Sequence, residues 1–278
     1  MKKRIKNLRI LAYHTVKDRA NFEGQLIYLK QNYSIVSIDQ LNHFFYKNTK
    51  LPKKPLLITF DDGDISVYEN ALPLLKKHNL PATLFVVTDL INSHKPFWWD
   101  EIEYYLGKED GNKKVWEIKN WKNKQREDFL TKLRSNLDKP AMKYPQLTTS
   151  QLKEMQDSGI TIANHSHTHP LFNKCTREEL EEELTKSKEQ LQDSNFSADI
   201  FAYPNGNHSE LSEAVLKSKN IKMALLFDHK INKNQVHPLQ ISRLAANDTT
   251  PLWKLKLILS GWHTKVLPIT RTLGKLRK

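Results

Sequence analysis

Seven short runs of the chain are apolar at most of their positions: 8–16 (LRILAYHTV), 33–38 (YSIVSI), 55–60 (PLLITF), 81–87 (PATLFVV), 160–164 (ITIAN), 199–204 (DIFAYP) and 222–227 (KMALLF). A strand covered on one face alternates apolar with polar residues, whereas a strand covered on both faces reads as a continuous apolar run. Most of these runs are separated by helical patterns. In FEGQLIYLKQNY, Phe22, Leu26 and Leu29 share a face, and in TREELEEELTKSKEQLQDS so do Leu180, Leu184 and Leu191. Thr148 with Gln151, and Thr176 with Glu179, have the spacing of capping boxes, and an aspartate cap is expected to start DQLNHFFY. Strands covered on both faces and alternating with helices predict a parallel α/β sheet or barrel, and seven of them come close to a (β/α) barrel.

In such a fold, functional groups gather at the C-terminal ends of the strands. The third run ends in Asp61 and Asp62, and His14, His165 and Asn205 follow other runs in the same way. A buried strand has no structural use for adjacent carboxylates: like charges repel, and burying either is costly unless it is paired or bound to a metal. NHSHTHP (164–170) adds His165 and His169. Two neutral imidazoles and a carboxylate can hold a divalent ion with positions left open, and the other carboxylate can then act as a general base. The alternative for the histidines alone is a surface cluster with no ligand.

The chain carries 44 Lys and Arg against 31 Asp and Glu, a formal charge of +13. That excess suits either an anionic partner or simply a solvated basic surface, and no nucleic-acid-binding motif accompanies it, so no nucleic-acid partner is expected. Cys175 is the only cysteine, which excludes an intrachain disulfide and a cysteine-built metal site. The segment from about 93 to 147, rich in Trp, Lys and Asn, fits the strand–helix alternation poorly. It reads as an insertion with its own helices, or as a lid, within a single domain spanning 1–278.

Three motifs in this order, TFDDG (59–63), HSHTH (165–169) and FAYPNG (201–206), resemble those of the polysaccharide deacetylases, carbohydrate esterase family 4 with its NodB-homology domain. The resemblance runs from about residue 8 to 245. It implies a distorted (β/α)7 barrel and metal-dependent hydrolysis of an acetyl group on an N-acetylated sugar. It also implies Asp61 as the base, Asp62, His165 and His169 as metal ligands, and the backbone N–H of Asn205 as an oxyanion donor. His167 matches no ligand position and is expected to point away or contact substrate. The donor set suits Zn2+ first.

Two departures from the family pattern matter. Many members have an arginine that orients the base where this chain has Ala202; Arg243 is either its substitute or a structural ion-pair partner. Many also place the acid histidine late in the chain, in a context that His229 and His237 lack. LAYHTV (11–16) instead resembles the N-terminal Tyr-His motif of a permuted branch, similar to the poly-N-acetylglucosamine deacetylases, which makes His14 the candidate acid. The other reading of His14 is a core histidine capping a strand. Other outcomes on the same fold are hydrolysis of a different amide or imide C–N bond, and an inactive carbohydrate-binding module.

The N-terminus lacks the apolar stretch of an export signal, and no window reaches transmembrane length. The expected location is therefore the cytoplasm, with a lipid-linked or nucleotide-linked saccharide as substrate. The tail from about 252 to 278 interleaves Trp253, Leu257, Ile258 and Trp262 with cations and has no acidic residue. It suits peripheral contact with an anionic inner membrane face, or else is a final core helix followed by a solvated tail.

Overall fold

The computed structural model describes residues 2–135 and 139–262. Its strands are β1 (Lys3–Tyr13), β2 (Ser34–Ile35), β3 (Pro55–Phe60), β4 (Ala82–Val86), β5 (Ile160–Asn164), β6 (Ser197–Ala202), β7 (Met223–Leu225), β8 (Asn232–Val236) and β9 (Leu244–Ala245). Its α-helices are α1 (Arg19–Asn32), α2 (Ile38–Tyr46), α3 (Leu72–His78), α4 (Trp98–Leu106), α5 (Lys108–Ile118), α6 (Asn123–Ser135), α7 (Thr149–Asp157), α8 (Arg177–Asp193), α9 (Glu210–Ser218) and α10 (Leu252–Ser260).

β7, β6, β5, β4, β3 and β1 lie side by side in that order, all parallel. β9 pairs in parallel with the other edge of β1, and Ile241, just before it, bridges to Leu225 of β7. The segment 241–245 thus closes a ring of seven strands, and its contact with β7 is a single bridge. This is the barrel expected from the sequence, with one member exchanged. The run 33–38 supplies only the short β2, which pairs with the beginning of β3 outside the ring. Ser37 ends that run as the N-cap of α2, forming a capping box with Gln40, so the cap is Ser37 and not Asp39. The N-terminal half of β1 pairs antiparallel with β8.

The period of two along each strand sorts the core into layers. Ile10, Leu57, Phe85, Ala163, Ile200, Ala202, Met223 and Leu225 form one cluster, the barrel interior. Their neighbours Leu11, Leu56, Leu84 and Ile162 pack outward with Phe22, Leu26 and Leu29 of α1 and Leu152 and Met155 of α7. Phe201 and Ala224 pack with Leu180 and Leu184 of α8 and Val215 and Leu216 of α9. Each fully buried large apolar side chain contributes about 1.5–3 kcal/mol. Continuing the inward positions by one or two steps beyond the strands reaches His14 from Ile10, Asp61 from Leu57 and His165 from Ala163. The alternation that builds the core therefore aims these side chains into the barrel mouth.

The segment between β4 and α7 contains α4, α5 and α6, which share a small core of Trp98, Ile102, Tyr105, Val115, Ile118, Leu130 and Leu133. At the other end of the chain, α10 buries Leu255, Ile258 and Leu259 in the main core. Residues 263–278 of the basic tail lie outside the described residues; among the described residues, no helix is long and apolar enough to cross a membrane.

Candidate active site

The two adjacent aspartates point to different partners because the chain turns between them. The Asp61 N–H donates to the Tyr13 carbonyl (2.9 Å) and so extends the β1–β3 ladder. Asp62 (φ 72°) and Gly63 (φ 89°) then adopt left-handed backbone, a conformation costly for a non-glycine residue and concentrated at functional sites. Asp61 meets Arg243 in a two-pronged ion pair, Nη1 to Oδ1 at 2.6 Å and Nη2 to Oδ2 at 2.7 Å. Arg243 is fully buried, with Nε donating to the Leu226 carbonyl at 2.8 Å and Nη1 to Thr59 Oγ1 at 3.2 Å. Burial opposes ionisation of Asp61, but the guanidinium and the nearby imidazoles outweigh it and hold the carboxyl below its usual range. Arg243 thus sits where it can orient Asp61, from just before β9 rather than from the Ala202 position on β6.

Asp62 Oδ1 lies 3.3 Å from His165 Nε2 and 3.5 Å from His169 Nε2. All three side chains are buried, with ligating atoms within 4.8 Å of one another. Tetrahedral ligands bound at about 2.0–2.1 Å stand roughly 3.3–3.4 Å apart, so the spacing fits a shared cation. Asp62 Oδ1 also has no hydrogen-bond donor of its own, although it is buried. His165 Nδ1 donates to the Ala202 carbonyl at 2.9 Å, which leaves the Nε2 lone pair facing Asp62. With His165 neutral, its Nε2 and Asp62 Oδ1 face each other with electron pairs alone, and a cation between them resolves that. The residues therefore fit a divalent metal.

Burial works against ionised Asp62, yet the surrounding histidines hold its carboxyl well below the ordinary range. The imidazoles diverge. Burial pushes His169 down to about 3, with Arg126 adding to the effect, whereas for His165 the charges of Asp61 and Asp62 overcome burial and raise it. Arg126 Nη1 donates to the His169 carbonyl at 2.9 Å. The loop carrying both histidines is also left-handed at Ser166 (φ 70°) and His169 (φ 57°). Glu183 of α8 anchors it, accepting from the backbone N–H groups of His167 (2.8 Å) and Thr168 (2.9 Å). His167 itself turns away, its Nδ1 at 2.9 Å from Thr88 Oγ1.

His14 and Asn205 line the same cavity, of about 410 Å3, as Asp61, Asp62, His165 and His169. The His14 ring stands edge-on to Phe227 at 5.6 Å. Asn205 has φ 53°, and the next residue must be glycine: a Cβ on Gly206 would lie 2.3 Å from Phe227 N. Neither His229 nor His237 lines this cavity. Its outer wall comes from the inserted segment, which contributes Trp99, Asp100, Trp116 and Lys119. Aromatic runs mark that segment, but its register against the barrel could not be read. Trp99 packs against His169, with ring centroids 4.8 Å apart. A larger cavity of about 650 Å3 beyond Trp99 shares Phe97, Trp99 and His169 and contains neither aspartate. The carboxylates and the histidine cluster therefore gather in the smaller one.

Comparison with known proteins agrees with this geometry. The polysaccharide deacetylase family model matches residues 48–224, a span that contains Asp61, Asp62, His165, His169 and Asn205 but neither His14 nor Arg243. The poly-beta-1,6-N-acetyl-D-glucosamine N-deacetylase of Staphylococcus aureus is 26% identical over 244 residues, covering 83% of this chain and 67% of that protein. Among solved structures, the deacetylase PplD of Streptococcus pyogenes superposes with a TM-score of 0.67 at 20% identity, over 92% of this chain and 99% of that one. IcaB from Ammonifex degensii gives 0.65 at 19%, over 93% and 98%. At those identities the structures show the shared fold, whereas the family match spans well over half of the sequence: the chain belongs to the polysaccharide deacetylase family.

Proposed function

We propose that the protein is a metal-dependent hydrolase that removes N-acetyl groups from a saccharide of the poly-β-1,6-N-acetylglucosamine type. The observation that carries this reading is the Asp62–His165–His169 cluster in the same cavity as the Asp61–Arg243 pair. Asp62, His165 and His169 would hold the ion, with Zn2+ suited to the donor set. Once bound, such an ion supplies Lewis acidity and lowers the pKa of water.

The chain's own groups do the rest. Asp61, kept anionic and oriented by Arg243, accepts a proton from the attacking water. The backbone N–H of Asn205 donates to the oxyanion that develops on the acetyl group. His14 gives a proton to the nitrogen as the C–N bond breaks, so that the amide and water become an amine and acetate. An inactive binding module would not need the complete set of acid, base and ligands. The test is acetate release from N-acetylglucosamine oligomers. Release abolished by chelation and restored by zinc supports the reading; chelator-insensitive release, or none from the metal-loaded protein, contradicts it.

The proposal extends to peripheral contact with anionic lipid. Trp253 is 68% exposed and Leu257, one turn on, is 40% exposed, on the helix that also carries Lys254 and Lys256. Ile27 of the neighbouring α1 is 41% exposed. Exposed indole and aliphatic groups among cations suit an anionic headgroup layer, at about 1 kcal/mol per Lys or Arg near the surface. Salt-sensitive co-sedimentation with anionic but not neutral vesicles, weakened in Trp253→Ala, is expected; equal binding to both would contradict it.

A further inference from the structure

We infer that the inserted helices carry a second saccharide subsite, centred on Trp116 of α5, that binds a sugar unit neighbouring the one being deacetylated. The identity of the ligand rests on the deacetylase reading above; the existence of the subsite rests on the geometry of α4 and α5.

Trp116 is 63% exposed although it is the largest kind of apolar side chain. It is not a stray surface residue, because it lines the cavity that holds Asp61, Asp62 and His14. Nor does the helix need it for packing: Val115 and Ile118 of α5 are the residues that enter the small helical core. Lys119, one turn on, lines the same cavity and places Nζ 4.5 Å from the centre of the Trp116 ring. Asp100 and Asn112 stand on the same wall. A pyranose has an apolar C–H face and a rim of hydroxyls that both donate and accept. A flat indole with one open face, flanked by an amine, an amide and a carboxyl, matches that shape and polarity.

The platform is also held rigidly, as a subsite requires. α4 and α5 meet at backbone contact, since a Cβ on Gly111 would lie 2.5 Å from Glu103 Cα. The first turn of α4 is fixed to the metal cluster, with Trp99 against His169 and stacked on Phe97 at 5.0 Å and 7°. The spacing between Trp116 and the reacting centre is thus set by two helices in contact rather than by a loose loop. A single N-acetylated sugar would occupy the catalytic position alone, while a chain of two or more units would also reach Trp116.

The test uses the full chain loaded with zinc and N-acetylglucosamine oligomers from one to four β-1,6-linked units. The wild type is expected to show a kcat/KM that rises with chain length. Trp116→Ala should raise KM for the tetramer about tenfold and flatten that rise, and Trp116→Phe should restore most of it. Gly111→Ala, which pushes α5 off α4, should have the same effect while leaving metal content intact. Tyr46→Ala, on α2 and outside the cavity, serves as the exposed-aromatic control and should leave KM unaltered. A tetramer KM in Trp116→Ala within twofold of wild type would overturn the subsite. If no saccharide is deacetylated, direct titration of the tetramer into Asp61→Asn protein, read by calorimetry, separates the two ideas. Binding that Trp116→Ala abolishes supports the subsite even as the deacetylase reading fails, and no binding overturns the subsite as well.

Discussion

Asp61 and Asp62 are neighbours in sequence with opposite surroundings, and each should therefore fail differently when changed. Asp61 faces a guanidinium and Asp62 faces two imidazole nitrogens. Asp61→Asn removes a base but no ligand, so metal content should stay normal while turnover falls by about 10^2–10^4-fold; a near-normal rate would mean that another group is the base. Arg243→Ala leaves a buried carboxylate without its partner, and such losses cost about 3–5 kcal/mol. Denaturant unfolding should show that loss, and a change below about 1 kcal/mol would contradict the buried pair. Asp100, on the wall of the same cavity, allows a pH test. Burial, helped by the nearby Glu103, Asp62 and Asp64 carboxylates, pushes its carboxyl up to about 6. The folded protein holds that proton where the unfolded chain has lost it, so stability falls as pH rises from about 4 to 6. Asp100→Asn should gain stability over wild type across that window and hold the gain above it; thermal unfolding at pH 4, 6 and 8 would show it, and a constant difference would refute it.

Elements were legible where one pattern dominated. The capping boxes of α7 and α8 and the span of β5 stand as read, because hydroxyl, glutamine or glutamate and apolar run all mark the same boundary. The strand that closes the ring was not legible. Ser242 and Arg243 lie between the bridge at Ile241 and β9, and a serine and an arginine there erase the apolar run that marked the others. The same arginine is the partner of Asp61, so the feature that hid the strand is the one the site uses. β2 was overread because Ser37, inside the apolar run 33–38, is the cap of a helix. The glycine after Asn205 makes a sharp element-scale prediction. At φ 70°, with Phe227 N 2.3 Å from the added methyl, Gly206→Ala must move either the Asn205 turn or the Phe227 strand end. It should lower kcat and thermal stability together, whereas Gly24→Ala, which meets nothing within 4 Å, should change neither. Equal behaviour of the two variants would show that the close approach is unimportant.

At the scale of the whole molecule, a seven-membered ring gathers groups from β1, β3, β5 and β6 at one mouth, and α4 to α6 wall it on one side. His14 comes from the start of the chain and Arg243 from near its end, and ring closure by the 241–245 segment brings the two to one mouth. His165 was readable because strand alternation carries inward positions into the mouth, whereas Asp62 and His169 reach the cluster through left-handed turns that only their motifs marked. The wall was not, because its placement depends on helix–helix contacts such as Gly111 on Glu103, which leave no trace in local periodicity. The central claim is that Asp62, His165 and His169 hold a divalent ion on which acetate release depends. Metal stoichiometry and acetate release, measured side by side on wild type, Asp61→Asn and His169→Ala, test it most directly. The account predicts about one ion per chain with activity in wild type, the same metal content without activity in Asp61→Asn, and neither in His169→Ala; a full complement of metal with normal acetate release in His169→Ala would contradict it.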